Sequence, residues 1–180
     1  MVNPSPAGPS RVVLHRWTAM APSESGVTAY LDPFGGETTT WPYTRWTSEE
    51  RDIGFPATEL VPSWTAGAPK GSWIRVELRA RTAAGGLTKW YDMGRWAEGE
   101  DDIHRTSLPG QGDEDGDVAV DTFVATRPVT AYRLRVTLHG AEAAVRTVGV
   151  MSCFTPEQKW EIYGDALRER LAGVDSYGLL

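Results

Sequence analysis

Cysteine is nearly missing from this chain: Cys153 stands alone among 180 residues. That excludes an internal disulfide and a zinc site built from several cysteines. Long apolar runs are missing too, and none approaches the roughly 20 residues of a membrane-spanning helix. Basic charge is in deficit, with 18 Lys and Arg against 24 Asp and Glu, a net charge of -6 and a pI of about 5.1. A general nucleic-acid binder needs a cationic surface to release counterions from phosphates, so nucleic acid is not an expected partner. The same deficit argues against an anionic membrane surface. The opening MVNPSPAGPS has no basic stretch followed by an apolar one, so no export signal is read there, and taken alone it leaves a cytoplasmic location.

Histidines are few as well: His15, His104 and His139. A cysteine nucleophile needs one of them as its base, and the segment MSCFTP around Cys153 forms no nucleophile motif. A free cysteine at a strand end reads instead as a small apolar residue.

Tryptophan is abundant: there are eight, with six tyrosines beside them. Indole rings fill β-sheet cores and also sit half-exposed where a flat ligand stacks. Hydrophobic content of 41% and charged content of 23% suit one globular domain with a proper core. Residues 1–10, with three prolines, read as a flexible arm. Short strands are expected at 11–18, 26–32 and 38–48, with Pro42 marking an edge or bend. The clearest strand is WIRVELRAR, 73–81, where Ile74, Val76, Leu78 and Ala80 alternate with Trp73, Arg75, Glu77, Arg79 and Arg81. AAGG at 83–86 reads as a turn into a strand at 87–94. Further strands are expected at 117–126, 131–140 and 144–152. Beyond them Thr155, Pro156 and Gln158 form a helix start, and Trp160, Tyr163, Leu167 and Leu171 recur at helical spacing until Gly173. The expectation is an all-β, antiparallel, jelly-roll-like sandwich of the galactose-binding-like type over 11–152, with one C-terminal α-helix within 153–180.

Three groups of residues carry candidate chemistry. If 73–81 and 131–139 share a sheet, Trp73, Arg75, Arg79, Arg133, Arg135 and His139 lie on its polar face. Guanidinium forks and tryptophan faces there suit sugar hydroxyls, acidic groups and C–H surfaces. Glu77, ringed by arginines, is the best-placed acid for a hydrolase that would pair it with a loop aspartate. The stretch 88–106, TKWYDMGRWAEGEDDIHRT, reads as a strand entering a corner, with Trp96, His104 and Arg105 as a binding edge. The loop DEDGD places Asp113, Asp115 and Asp117 at alternate positions, a candidate Ca2+ loop. It departs from the helix-loop-helix pattern, because its glycine is fourth instead of sixth and no Glu follows at the twelfth position. The same loop also reads as a polar hairpin turn.

The segments FPATELVPSWTAGAPKGSWIRVELRAR (55–81), KWYDMGRWAEGEDDIHRTSLPGQGDEDGDVAVDTFVA (89–125) and AYRLRVTLHG (131–140) closely resemble the N-terminal accessory region of secreted bacterial cysteine peptidases. These are papain-like enzymes grouped with bacteriocin-processing peptidases, and the likeness covers roughly residues 13–152. The resemblance implies a secreted protein and a catalytic partner domain carrying the nucleophile in a Trp-Cys-Ser-Pro-type motif, which these 180 residues lack. It therefore implies the accessory sandwich without the peptidase activity. The functional expectation is a non-catalytic module for a polysaccharide or cell-wall ligand. The alternatives are a hydrolase, and a protein-docking domain that uses Trp160 and Tyr163 of the last helix.

Overall fold

The computed structural model of the chain describes residues 9–105 and 108–156. Nine antiparallel strands form one hydrogen-bonded network: β1 (Arg11–Trp17), β2 (Glu24–Tyr30), β3 (Thr39–Thr47), β4 (Arg51–Gly67), β5 (Trp73–Thr82), β6 (Tyr91–Trp96), β7 (Gly116–Ala119), β8 (Thr122–His139) and β9 (Ala144–Phe154). The order runs β1-β9-β4-β8-β3-β2, with β5 joining β8 to β6 and β7 joining the start of β8. No helix occurs among the described residues, and the helix expected after Thr155 lies outside them.

Two long strands hold the network together. The second half of β8 lies between β3 and β5, while its first half pairs with β4 and β7. β4 leaves β8 at Leu60 and continues along β9. The sheet thereby turns back over itself. Val148 and Val150 of β9 meet Ile74, Val76 and Leu78 of β5 and Leu134 and Val136 of β8 in one buried cluster. Complete burial of a Val, Leu or Ile side chain stabilises a fold by about 1.5–3 kcal/mol, so the apolar faces of β5 and β8 anchor everything else.

One expected strand is divided, and one long strand, β4, falls where none was expected. Residues 117–126 are not one strand: β7 ends at Ala119, Val120 takes φ 61°, and β8 starts at Thr122. A two-residue hairpin loop requires positive φ, which a β-branched residue rarely signals. β4 has no clean alternation, because Gly54 (φ 83°) and Pro56 fall inside a register shift between Asp52 and Ala57. Pro42, by contrast, behaves as its chemistry requires. The β3–β8 ladder covers Tyr43–Thr47 only, so the missing N–H interrupts no bond to β8.

A second, smaller cluster lies on the other side of β5. Trp73 packs there with Trp41, Ala97 and Ile103, and Tyr30 rests against them. Both faces of β5 are therefore covered at its Trp73 end.

Candidate functional site

Register places one polar face across five strands. Trp73, Arg75, Glu77 and Arg79 of β5 stand opposite His139, Thr137, Arg135 and Arg133 of β8. On the far side of β8 come Tyr43, Arg45 and Thr47 of β3, and then Glu24 of β2 opposite Arg45. On the far side of β5, Asp92 and Arg95 of β6 pair with Glu77 and Arg75. The two sequence segments expected to share a face do share it.

Two buried carboxylates organise this face. Glu77 is 3% exposed and accepts a fork from Arg135, Nη2 to Oε1 at 2.6 Å and Nε to Oε2 at 2.7 Å. Arg75 reaches the same Oε1 at 3.2 Å. Asp92, 2% exposed, takes Arg75 Nε at 3.0 Å and Arg95 Nη2 at 2.8 Å on its Oδ2. The Gln111 side chain bonds the Asp92 backbone twice, accepting from its N–H at 2.7 Å and donating to its C=O at 2.8 Å, as a neighbouring strand would. Charges this deeply placed persist only when paired and hydrogen-bonded. Both Glu77 oxygens are occupied by guanidinium groups, so the residue serves as an anchor and does not stand open as a general acid.

The arginines are held by one edge and remain partly open at the other. Arg135 is stacked over Trp90, 4.3 Å from the ring centroid, and Trp90 itself is half-buried just before β6. Arg45 is fixed by Glu24 at 3.0 Å and by Thr137 Oγ1 at 3.0 Å. Arg95 lies deeper and donates to the Tyr30 hydroxyl at 2.7 Å. Six arginines (Arg45, Arg75, Arg79, Arg95, Arg133 and Arg135) thus meet three carboxylates (Glu24, Glu77 and Asp92), and an acidic protein presents one cationic face.

Trp73 and His139 form the closed end of the face. Trp73 is 1% exposed, so it offers no ring to a ligand. His139 stacks on it, with centroids 3.6 Å apart and planes 4° off parallel. Burial, helped by the charges of Arg75, Arg45 and Arg95, pushes the His139 pKa down to about 3. The imidazole is neutral, as a ring without a counter-charge beside three guanidinium groups must be.

The remaining candidates are scattered. Trp96 packs against the main core, away from Arg95. His104 lies in an exposed corner and bonds Asp32 Oδ2 through both its backbone N–H and its Nδ1, each at 3.0 Å. Arg105 approaches Glu100 at 3.6 Å. For the Ca2+ expectation, no group of three or more His, Cys, Asp or Glu side chains among the described residues is arranged to hold a metal ion. Asp113 instead accepts from the Tyr91 hydroxyl at 2.5 Å and from the backbone of Asp115 and Gly116, and pairs with Lys89. Burial pushes its pKa up, but those hydrogen bonds outweigh burial and hold it at about 2. Asp115 pairs with Arg127 at 2.7 Å, and Asp117 caps the Val118 N–H at 2.7 Å. The loop is a charge-pinned turn that leads into β7. Cys153 lies inside β9 between Val12 and Glu59, where burial and the Glu59 charge raise the thiol pKa, the opposite of activation.

Sequence reasoning reads Trp90 and Arg95 as anchors of the fold and assigns neither them nor Asp92 and Arg45 to the polar face. Alternation marks Trp90 and Asp92 as facing one way, but the shift between Val76 and Glu77 opposite β6 hides their alignment with Glu77.

Comparison with known proteins supplies a family. A solved chain from work on the promiscuous specificity of carbohydrate-binding modules of the β-sandwich superfamily aligns at 12% identity and a TM-score of 0.30. That alignment covers 80% of this chain and 57% of the other, a likeness too distant to carry fold or ligand across. Curated proteins give no significant match. The family model described as the peptidase C39 N-terminal domain matches residues 8–153, from before β1 to one residue short of the end of β9, and the chain belongs to that family.

Proposed function

We propose that this domain is a non-catalytic accessory module that holds carbohydrate or another cell-envelope polymer for an associated peptidase. The reading treats the fold as a jelly-roll-like, galactose-binding-like sandwich working outside the cytoplasm. One observation carries it. Arg135, Arg75 and Trp90 form a part-exposed row whose guanidinium groups are oriented in advance by the buried Glu77 and Asp92. Pre-oriented donors beside an aromatic ring lower the ordering cost of binding a hydroxyl-rich chain. A hydrolase reading would need Glu77 free to exchange a proton, and both its oxygens are engaged. The docking reading rests on Trp160 and Tyr163, which lie outside the described residues.

The test is retention of the whole chain on purified cell wall and on insoluble polysaccharides, with wild type and Trp90→Ala compared at equal concentration. The reading expects retention, weakened about fivefold in the variant through lost stacking of about 1 kcal/mol, with the variant still unfolding cooperatively. A protein that stays in the supernatant on every matrix refutes it.

A further inference from the structure

Arg79 and Arg133 stand directly opposite each other across the β5–β8 pair. Like charges at opposed positions of a sheet repel, and the other arginines of the face avoid this cost by pairing. Arg45 has Glu24, Arg75 has Glu77 and Asp92, Arg95 has Asp92, and Arg135 has Glu77. Arg79 donates its Nε to the Thr88 carbonyl at 2.9 Å, which fixes the guanidinium and leaves both Nη groups without an acceptor among the described residues. Arg133 is exposed, and its side chain has no hydrogen bond or ion pair among them. The carboxylate that feels its charge, Glu50, is already gripped by Arg81 through two bonds of 2.8 Å each. The face therefore carries one uncompensated cationic pair, next to the row formed by Arg135 and Trp90. That row is one residue pair further along β8, about 7 Å away at the usual rise of a strand.

We propose that Arg79 and Arg133 form a clamp for a single anionic group of the polymer bound at this face, while Trp90 and Arg135 engage the adjoining unit. The inference rests on the binding role proposed above and adds the charge of the ligand to it. An anion between the two guanidinium groups converts a repulsion into two charge-assisted contacts, and the planar fork of arginine suits a carboxylate and a phosphate equally. The two sources of that chemistry are a uronate-type carboxylate and a backbone phosphodiester. Neutral glycans supply neither.

The experiment titrates the whole chain with three soluble polymers by affinity electrophoresis at low and high salt: polygalacturonate, poly(glycerol phosphate) and dextran. At least one charged polymer should bind roughly tenfold or more tightly than dextran, with affinity falling as salt rises. A preference for polygalacturonate assigns the clamp to carboxylates, and a preference for poly(glycerol phosphate) assigns it to phosphates. Arg79→Gln and Arg133→Gln should each weaken the charged complex about tenfold, the usual scale for one charge-assisted contact, while Arg133→Lys keeps part of the affinity. The melting temperature of Arg133→Gln should equal or exceed that of wild type, since a repulsion is removed; a purely structural arginine would lower it. The clamp is refuted if dextran binds as well as the charged polymers, or if both glutamine variants bind like wild type. Dextran or cell-wall retention that still depends on Trp90 would then leave the binding-module reading standing. Binding to none of the three soluble polymers removes the clamp, and failure of the cell-wall retention as well removes both.

Discussion

Burial of His139 should make a separable contribution to the acid sensitivity of this fold. His139 is 4% exposed, stacked on Trp73, and has its pKa pushed down to about 3 by burial and by nearby arginines. In the unfolded chain the same imidazole titrates near 6.5. Above that value neither state holds the proton and His139 contributes no pH dependence. Between the two values the unfolded chain takes up a proton that the folded one refuses, so stability falls as pH drops, and the loss levels off near pH 3. The slope for one proton is about 1.4 kcal/mol per pH unit, which gives about 2 kcal/mol between pH 6.5 and pH 5. His139→Gln removes this term while keeping a planar polar side chain. Urea denaturation of both proteins at pH 7.5 and pH 5.0 isolates the contribution. The stability advantage of wild type over variant should shrink by about 2 kcal/mol on going to pH 5.0. His15, whose pKa is also lowered by burial, acts in the same direction but is common to both proteins. Equal losses in wild type and variant would refute the burial argument.

The anchoring carboxylate and one turn give further checks. Glu77→Ala leaves Arg135 without its partner, and because Arg135 and Arg75 keep 23% and 36% of their side chains exposed, water recovers part of the loss. A destabilisation of about 2–3 kcal/mol in chemical denaturation is expected, below the 3–5 kcal/mol of a fully enclosed pair; a loss under about 1 kcal/mol would mean that the ion-pair lattice is decorative. Gly140→Ala should be costlier to tolerate than its size suggests. Gly140 has φ 82°, and an added Cβ would lie 2.2 Å from the Gly71 carbonyl oxygen, so the turn after β8 must shift. Calorimetry should show a loss of about 2–4 kcal/mol, and an unchanged melting temperature would contradict the described packing.

Period-two alternation is a local property of an extended chain, and for that reason the sequence by itself determined the strands at 73–81 and 131–139 and the residues that share their polar face. The strand expected within the stretch 88–106 is β6, Tyr91–Trp96, and the described residues after it, 97–105, form a loop. What alternation does not encode is what lies across the face. Trp73 and Arg79 occupy equivalent positions in the pattern, yet Trp73 is covered by Tyr30, Trp41 and Ile103 from distant segments, while Arg79 remains part-exposed. Trp96, part-buried, packs against the core cluster for the same reason. Strand boundaries were lost where one backbone conformation or a change of partner decides them, at Val120 and along β4. The spacing of the aspartates in the 113–117 loop is visible in the sequence, whereas the partners of Asp113 and Asp115, namely Tyr91, Lys89 and Arg127, come from elsewhere in the chain. The uncompensated pairing of Arg79 with Arg133 is likewise a product of register between residues far apart in the chain, which only the folded sheet sets.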